Sequence, residues 1–305
     1  MRLFIVSVRL IIPAFLVLIA DPASAHTAGA DQSYSILAAD PYSLLLIIIL
    51  AVLYLRGMSF LRSKKSVSRG RHLLFFAGWL VLSAALLPPI DSLSSELFSA
   101  HMVQHELMIL LAAPLLVFSR PAALLIRGMP DFLRKKFIWV LRRKSTVILR
   151  RFVMMPTVAW LIHAVALWGW HLPELFLASL RSELVHTLQH GSFFASALLF
   201  WWACSANRYR EVGVAVFLFT TAAHASLLGA LLTFSNTVWY PHYVDTAPVW
   251  GLSALQDQQL GGLIMWVPGG LVFLMMSLYS LMGLLAGPGD DKPLAENIRI
   301  EESPG

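Results

Sequence analysis

The sequence predicts an all-α integral membrane protein: a seven-transmembrane helix bundle with its N-terminus outside and its C-terminus cytoplasmic. Three observations carry this. Hydrophobic residues make up 58% of the 305-residue chain and charged residues 13%, against about 45–50% and 25% in soluble domains, and the mean hydropathy is +0.70. The apolar residues fall in runs long enough to cross a hydrocarbon core of about 30 Å as helices. Lys and Arg fall almost entirely in alternate loops between those runs, as they do in cytoplasmic loops. This composition excludes a soluble globular enzyme, a disordered chain and a nucleic-acid-binding domain. The alternating pattern of a membrane barrel is absent.

Residues 1–25 read as a secretory signal peptide. Arg2 and Arg9 are the basic start, Leu10 to Ala20 the apolar run, and Ala23-Ser24-Ala25 a small-x-small cleavage site. An uncleaved anchor helix is the rival reading, and both leave the following outer segment, 26–40, outside the cytoplasm. The membrane domain, 41–286, is divided into spans at 41–57, 72–89, 99–119, 152–170, 183–204, 213–234 and 257–286, each close to the roughly 20 residues that a crossing needs. A cytoplasmic tail, 287–305, follows.

Loop charge orients the bundle. The 56–71 loop carries Arg56, Arg62, Lys64, Lys65, Arg69 and Arg71, and the 120–151 loop is denser still, from Arg120 to Arg151. Arg208 and Arg210 lie after the fifth span, and Lys292 and Arg299 in the tail; the alternate loops hold Arg181 alone. Topology accounts for the basic 127–151 stretch, with an interfacial helix within it, so a nucleic-acid partner is not implied.

Of the ten histidines, most fall in what this topology makes the outer half. His101-Met-Val-Gln-His105 opens the third span and His186-Thr-Leu-Gln-His190 the fifth. Residues four apart share a helix face, so each pair presents two imidazoles to one point. Two facing pairs would supply four nitrogen ligands, enough for a metal ion or for axial ligation of haem. The competing reading is that these histidines only bond neighbouring helices; the cost of ionisable groups within a membrane weighs against it. His171 ends the fourth span and His163 lies two turns deeper, while His224 is near the middle of the sixth. Asp257 opens the seventh span as a carboxylate ligand, an outer partner of a ligating histidine, or a helix cap. Met265, two turns deeper, adds a thioether of the kind that suits Cu(I). Glu106 and Glu183 adjoin the pairs. A single cysteine, Cys204, rules out disulfides and multi-cysteine metal sites. Motifs for phosphate or dinucleotide binding, a serine nucleophile elbow and His-Glu-x-x-His are missing. The Gly261-Gly262 and Gly269-Gly270 pairs fit close helix packing.

The chain resembles the CtaG family of multi-span cytochrome c oxidase assembly proteins. The likeness runs over roughly 40–286. It is carried by His101-Met-Val-Gln-His105 with Ala113-Pro114-Leu115-Leu116, Trp170-His171-Leu172-Pro173, His186-Thr-Leu-Gln-His190 with Trp201-Trp202, and Asp257-Gln258-Gln259-Leu-Gly261-Gly262 with Met265-Trp266. The resemblance implies a bacterial inner-membrane, non-enzymatic factor for maturation of a haem–copper oxidase. It would bind copper on the periplasmic side and deliver it to the oxidase, with the catalytic haem–copper subunit as partner. It also implies that His101, His105, His186 and His190 are copper ligands and that His171 and Asp257 are accessory. Two alternatives stay open: a zinc-dependent seven-helix membrane hydrolase, and a haem-binding membrane protein.

Overall fold

The structure is a computed structural model that describes residues 40–60, 67–205 and 211–285. The signal-peptide segment, His26, the tail and part of two basic loops lie outside the described residues. Among the described residues there is no strand. The helices are α1 (Pro41–Ser59), α2 (Arg69–Leu86), α3 (Ile90–Ser94), α4 (Phe98–Ser119), α5 (Ala122–Gly128), α6 (Asp131–Arg142), α7 (Lys144–Val153), α8 (Pro156–Trp170), α9 (Pro173–Arg181), α10 (Glu183–Ser205) and α11 (Glu211–Thr233). The last, α12, runs as Ala254–Ile264, a π-turn over Met265–Gly269, and Gly270–Leu285.

Each segment expected to span is helical, with one difference: the expected 152–170 span is interrupted. Helix α7 ends at Val153 and α8 starts at Pro156, at 72° to it. Pro156 at the first helical position explains the restart, since a proline there gives up only an N–H that has no partner anyway. Among the described residues, four helices are long and apolar enough to cross a membrane: Pro41–Ser59, Phe98–Ser119, Val212–Thr233 and Ala254–Met282. The bent pair α7–α8 makes five if counted as one span. The chain is thus a multi-pass membrane protein. Helix α10 is 23 residues long, but His186, Gln189, His190, Ser192 and Ser196 dilute its apolar content.

Helix α4 is the hub. Over an apolar 18-residue stretch it is 61% buried, against 22–33% for the like stretches of the other three long apolar helices, and it packs on α2, α10 and α12. A π-turn over Leu107–Ala112 interrupts it just before Pro114. In π geometry the Ile109 carbonyl looks five residues ahead, to Pro114, which has no N–H. Trp201 of α10 supplies the missing donor, Nε1 to the Ile109 carbonyl at 2.8 Å. The Pro114 and Trp201 motifs are therefore parts of one structural joint. Helices α11 and α12 meet backbone to backbone at Gly229 and Gly262, where a Cβ on either would lie 2.8 or 2.6 Å from the other's carbonyl oxygen. This is the packing that the Gly261-Gly262 pair suggested.

Candidate metal centre

Helices α4 and α10 bring the two histidine pairs face to face at the end of the bundle where both helices begin. Ring centroids are 4.4 Å apart for His101 and His105, and 4.1 Å for His186 and His190. Across the helices they are 5.9 Å apart for His101 with His186 and with His190, and 5.4 Å for His105 with His190. Ligand nitrogens of His101, His186 and His190 all lie within 4.8 Å of one another. His171, the residue that ends α8, approaches His105 at 6.4 Å.

The pattern of hydrogen bonding separates this group from ordinary buried histidines. Both ring nitrogens of His101 and of His105 are buried without a hydrogen-bond partner, as are Nε2 of His171 and Nε2 of His190. The Ser94 carbonyl and the Gln189 amide lie beside His101 without hydrogen-bond geometry. A buried polar atom left unpaired costs roughly 1–3 kcal/mol, so several in one place require an explanation. His171 shows how one ring is prepared. Its Nδ1 donates to the Leu167 carbonyl at 2.6 Å, so in the neutral ring Nε2 carries the lone pair, the arrangement common to ligating histidines. Convergent imidazoles with free lone pairs suit copper or zinc. The donor set therefore fits a metal ion.

The walls are aromatic. Phe176 lies 4.9 Å from His101 and Phe193 4.5 Å from His105, centroid to centroid. Above them the 235–256 segment closes over the site. Tyr240 stacks on Phe98 at 4.7 Å and its hydroxyl donates to the His171 carbonyl at 2.8 Å; the Tyr243 hydroxyl donates to the Ser94 carbonyl at 3.0 Å. Both tyrosines are buried, and burial pushes their hydroxyl pKa values up. They are therefore part of a cover, whereas Trp250 remains partly exposed and donates to Glu96.

Two polar residues that sequence reasoning missed stand behind the cluster. Gln104, inside the first histidine motif, donates through Nε2 to the Ala85 carbonyl and to the Asp91 carboxylate, both at 2.8 Å. Burial raises the pKa of Asp91, and the nearby His186 and Gln104 offset part of that rise. Asp91 thus sets a carboxylate close enough to His186 for the two to interact electrostatically. Its only sequence signal was an acid just after Pro88-Pro89, and nothing local connected it to His186.

Other candidate residues sit elsewhere. The Asp257 carboxylate accepts from the Phe98 and Ser99 backbone N–H groups at 2.6 and 3.0 Å, and from Ser99 Oγ at 2.5 Å. It caps the start of α4, where the free N–H groups and helix dipole favour an anion. The cap of its own helix is Ser253, in a capping box with Gln256. Asp257 thus holds the helix that carries His101 and His105. Met265 is buried in the π-turn of α12, within the apolar core. His224 is half-buried beside Trp160 and accepts from Trp168 Nε1 at 3.4 Å; it is not one of the three converging histidines. Glu106 places an unpaired, buried carboxyl oxygen against Gly269, where a Cβ would come within 2.9 Å.

Two uncharacterized mycobacterial proteins, Mb0105 of Mycobacterium bovis and MT0111 of Mycobacterium tuberculosis, are each 27% identical to this chain over 233 residues. The alignment covers 72% of this chain and 35% of either relative, so the chain spans about a third of the length of the curated relatives it matches. No solved structure matches it significantly. Residues 52–286, which include every histidine of the cluster, match the family described as cytochrome c oxidase caa3 assembly factor, and the chain belongs to that family.

Proposed function

We propose that this assembly factor holds copper at the histidine cluster and passes it to a haem–copper oxidase subunit. The observation that carries the reading is the convergence of His101, His186 and His190 within 4.8 Å, with unpaired buried nitrogens on His101, His105, His171 and His190. Copper is the cargo. His101, His186 and His190 would hold it, with His105 and His171 next to them to complete or vary the set. Nitrogen ligands suit copper without the closed thiolate cage that would resist handover. The Asp91–Gln104 pair orients the ligands from behind, and the tyrosine cover regulates access from in front.

In the same reading the chain crosses the bacterial inner membrane seven times, N-terminus outside and C-terminus inside, after a signal peptide. The basic residues of the 56–71 and 120–151 loops support this orientation. The cluster then opens to the periplasm, where the metal-accepting part of an oxidase can reach it.

The test is genetic and biochemical together. Cells whose only copy is His101→Ala/His105→Ala should lose oxidase activity while the variant protein remains in the membrane at normal abundance. Normal oxidase activity in those cells would sink the copper-delivery reading. Zinc retained by purified protein, together with hydrolysis of an amide-linked lipid, would favour the hydrolase. A Soret band would favour haem.

A further inference from the structure

The basic helices α6 and α7 have no part in the histidine site, and neither has a buried residue. Both are amphipathic. On α6, Leu133, Phe137, Val140 and Leu141 fall at i, i+4, i+7 and i+8, one helical stripe. On α7, Ile148, Leu149, Phe152 and Val153 form another, opposite Lys144, Arg150 and Arg151. These apolar side chains are not covered by the rest of the chain: Phe137 is 39% exposed, Leu149 60% and Phe152 53%. Between residues 127 and 153 there are nine Lys and Arg and one acid, Asp131, which is paired with Arg134 at 2.5 Å. Arg143, at the turn between the two helices, stacks on Trp139 at 3.7 Å.

Position identifies the occupant. The pair is tethered at one end to α4 through the short α5, and at the other to α8. Helix α7 is inclined at 72° to α8. If α8 crosses the bilayer, α7 lies close to the membrane plane, level with the headgroups. A helix there with an apolar stripe and a basic face inserts the stripe at the acyl boundary and draws anionic headgroups to its flanks. We propose that α6 and α7 form a hairpin that binds the anionic lipid surface of the membrane, with the apolar stripes inserted and the Lys and Arg residues on lipid phosphates. This rests on α8 spanning the bilayer and is independent of any metal at the histidine cluster.

The experiment uses the full chain in nanodiscs of phosphatidylcholine alone, or of equal parts phosphatidylcholine and phosphatidylglycerol. Backbone hydrogen exchange is followed over residues 131–153. Each basic residue at an anionic surface favours binding about fivefold, so exchange in this segment should slow by at least about tenfold in the anionic discs. About 0.5 M salt, which shortens the screening length to a few ångströms, should reverse most of that. Lys135→Gln/Lys136→Gln/Arg150→Gln/Arg151→Gln should narrow the difference between the two discs. Equal protection of the wild-type segment in both lipids would overturn the proposal, whether apolar insertion or a second copy of the chain supplied that protection. Because this comparison uses only the wild-type chain, it stands even if the variant misfolds.

Discussion

The molecule holds two groups of histidines within the bundle and treats them differently. In mid-bundle, His163 bonds Ser196 at 3.1 Å through Nδ1, and His224 takes a hydrogen bond from Trp168, with Trp160 edge-on at 5.7 Å. These are histidines used as interhelical polar contacts, although Nε2 of His224 stays unpaired. Where α4 and α10 begin, His101 and His105 have no protein partner on either nitrogen, and they face two further histidines rather than hydroxyls or indoles. Residue type and burial do not distinguish the groups. What does is whether the surrounding protein satisfies the ring, and an unsatisfied convergent set is one built for something the chain does not itself provide.

That contrast yields a graded set of expectations. Removing His101 and His105 together should abolish copper retention, a larger loss than the roughly 10–100-fold that outer partners of a metal ligand typically cost; helix content by circular dichroism should be unchanged. Asp91→Asn, which keeps shape and removes charge, should weaken copper affinity about tenfold, read by competition with a chelator. Acid should act in the same direction. Imidazole must be neutral to ligate, so protonation of the rings in acid should release the metal. Retention that persists after the rings have been fully protonated by acid would argue against histidine ligands. Asp257→Ala should chiefly lower stability, by about 2 kcal/mol, because three donors at the start of α4 lose their acceptor; thermal unfolding in detergent reads this. The smallest effect on metal is expected from His163→Ala/His224→Ala, with copper content within about twofold of wild type and a stability loss of about 1 kcal/mol per lost hydrogen bond. A large copper loss in that variant would erase the distinction between the two groups.

The helices were legible because apolar runs are local properties, and the runs expected to span are largely helical, with 152–170 broken in two. The break between Val153 and Pro156 was also written locally, in a proline and in the basic residues of α7, but a hydropathy count merges it into one span. The two His-x-x-x-His pairs were legible as faces. Their juxtaposition was not, since it depends on how α4 and α10 pack, and a single chain does not encode that in any short pattern. The same holds for Asp257, read from spacing as a ligand or as a cap of its own helix. Its partners lie 158 and 159 residues away. Asp91 carried no motif at all, and its place behind His186 depends on Gln104 reaching across from the next helix.

The most direct measurement is copper content, with an absorption spectrum on the same sample, for detergent-purified protein after reconstitution with Cu(I). Wild type, His101→Ala/His105→Ala and His163→Ala/His224→Ala would be compared side by side. Copper bound by the wild type and the mid-bundle variant, and lost from the cluster variant, is the result predicted here. Copper bound equally by all three, or by none, would contradict a copper site at the converging histidines.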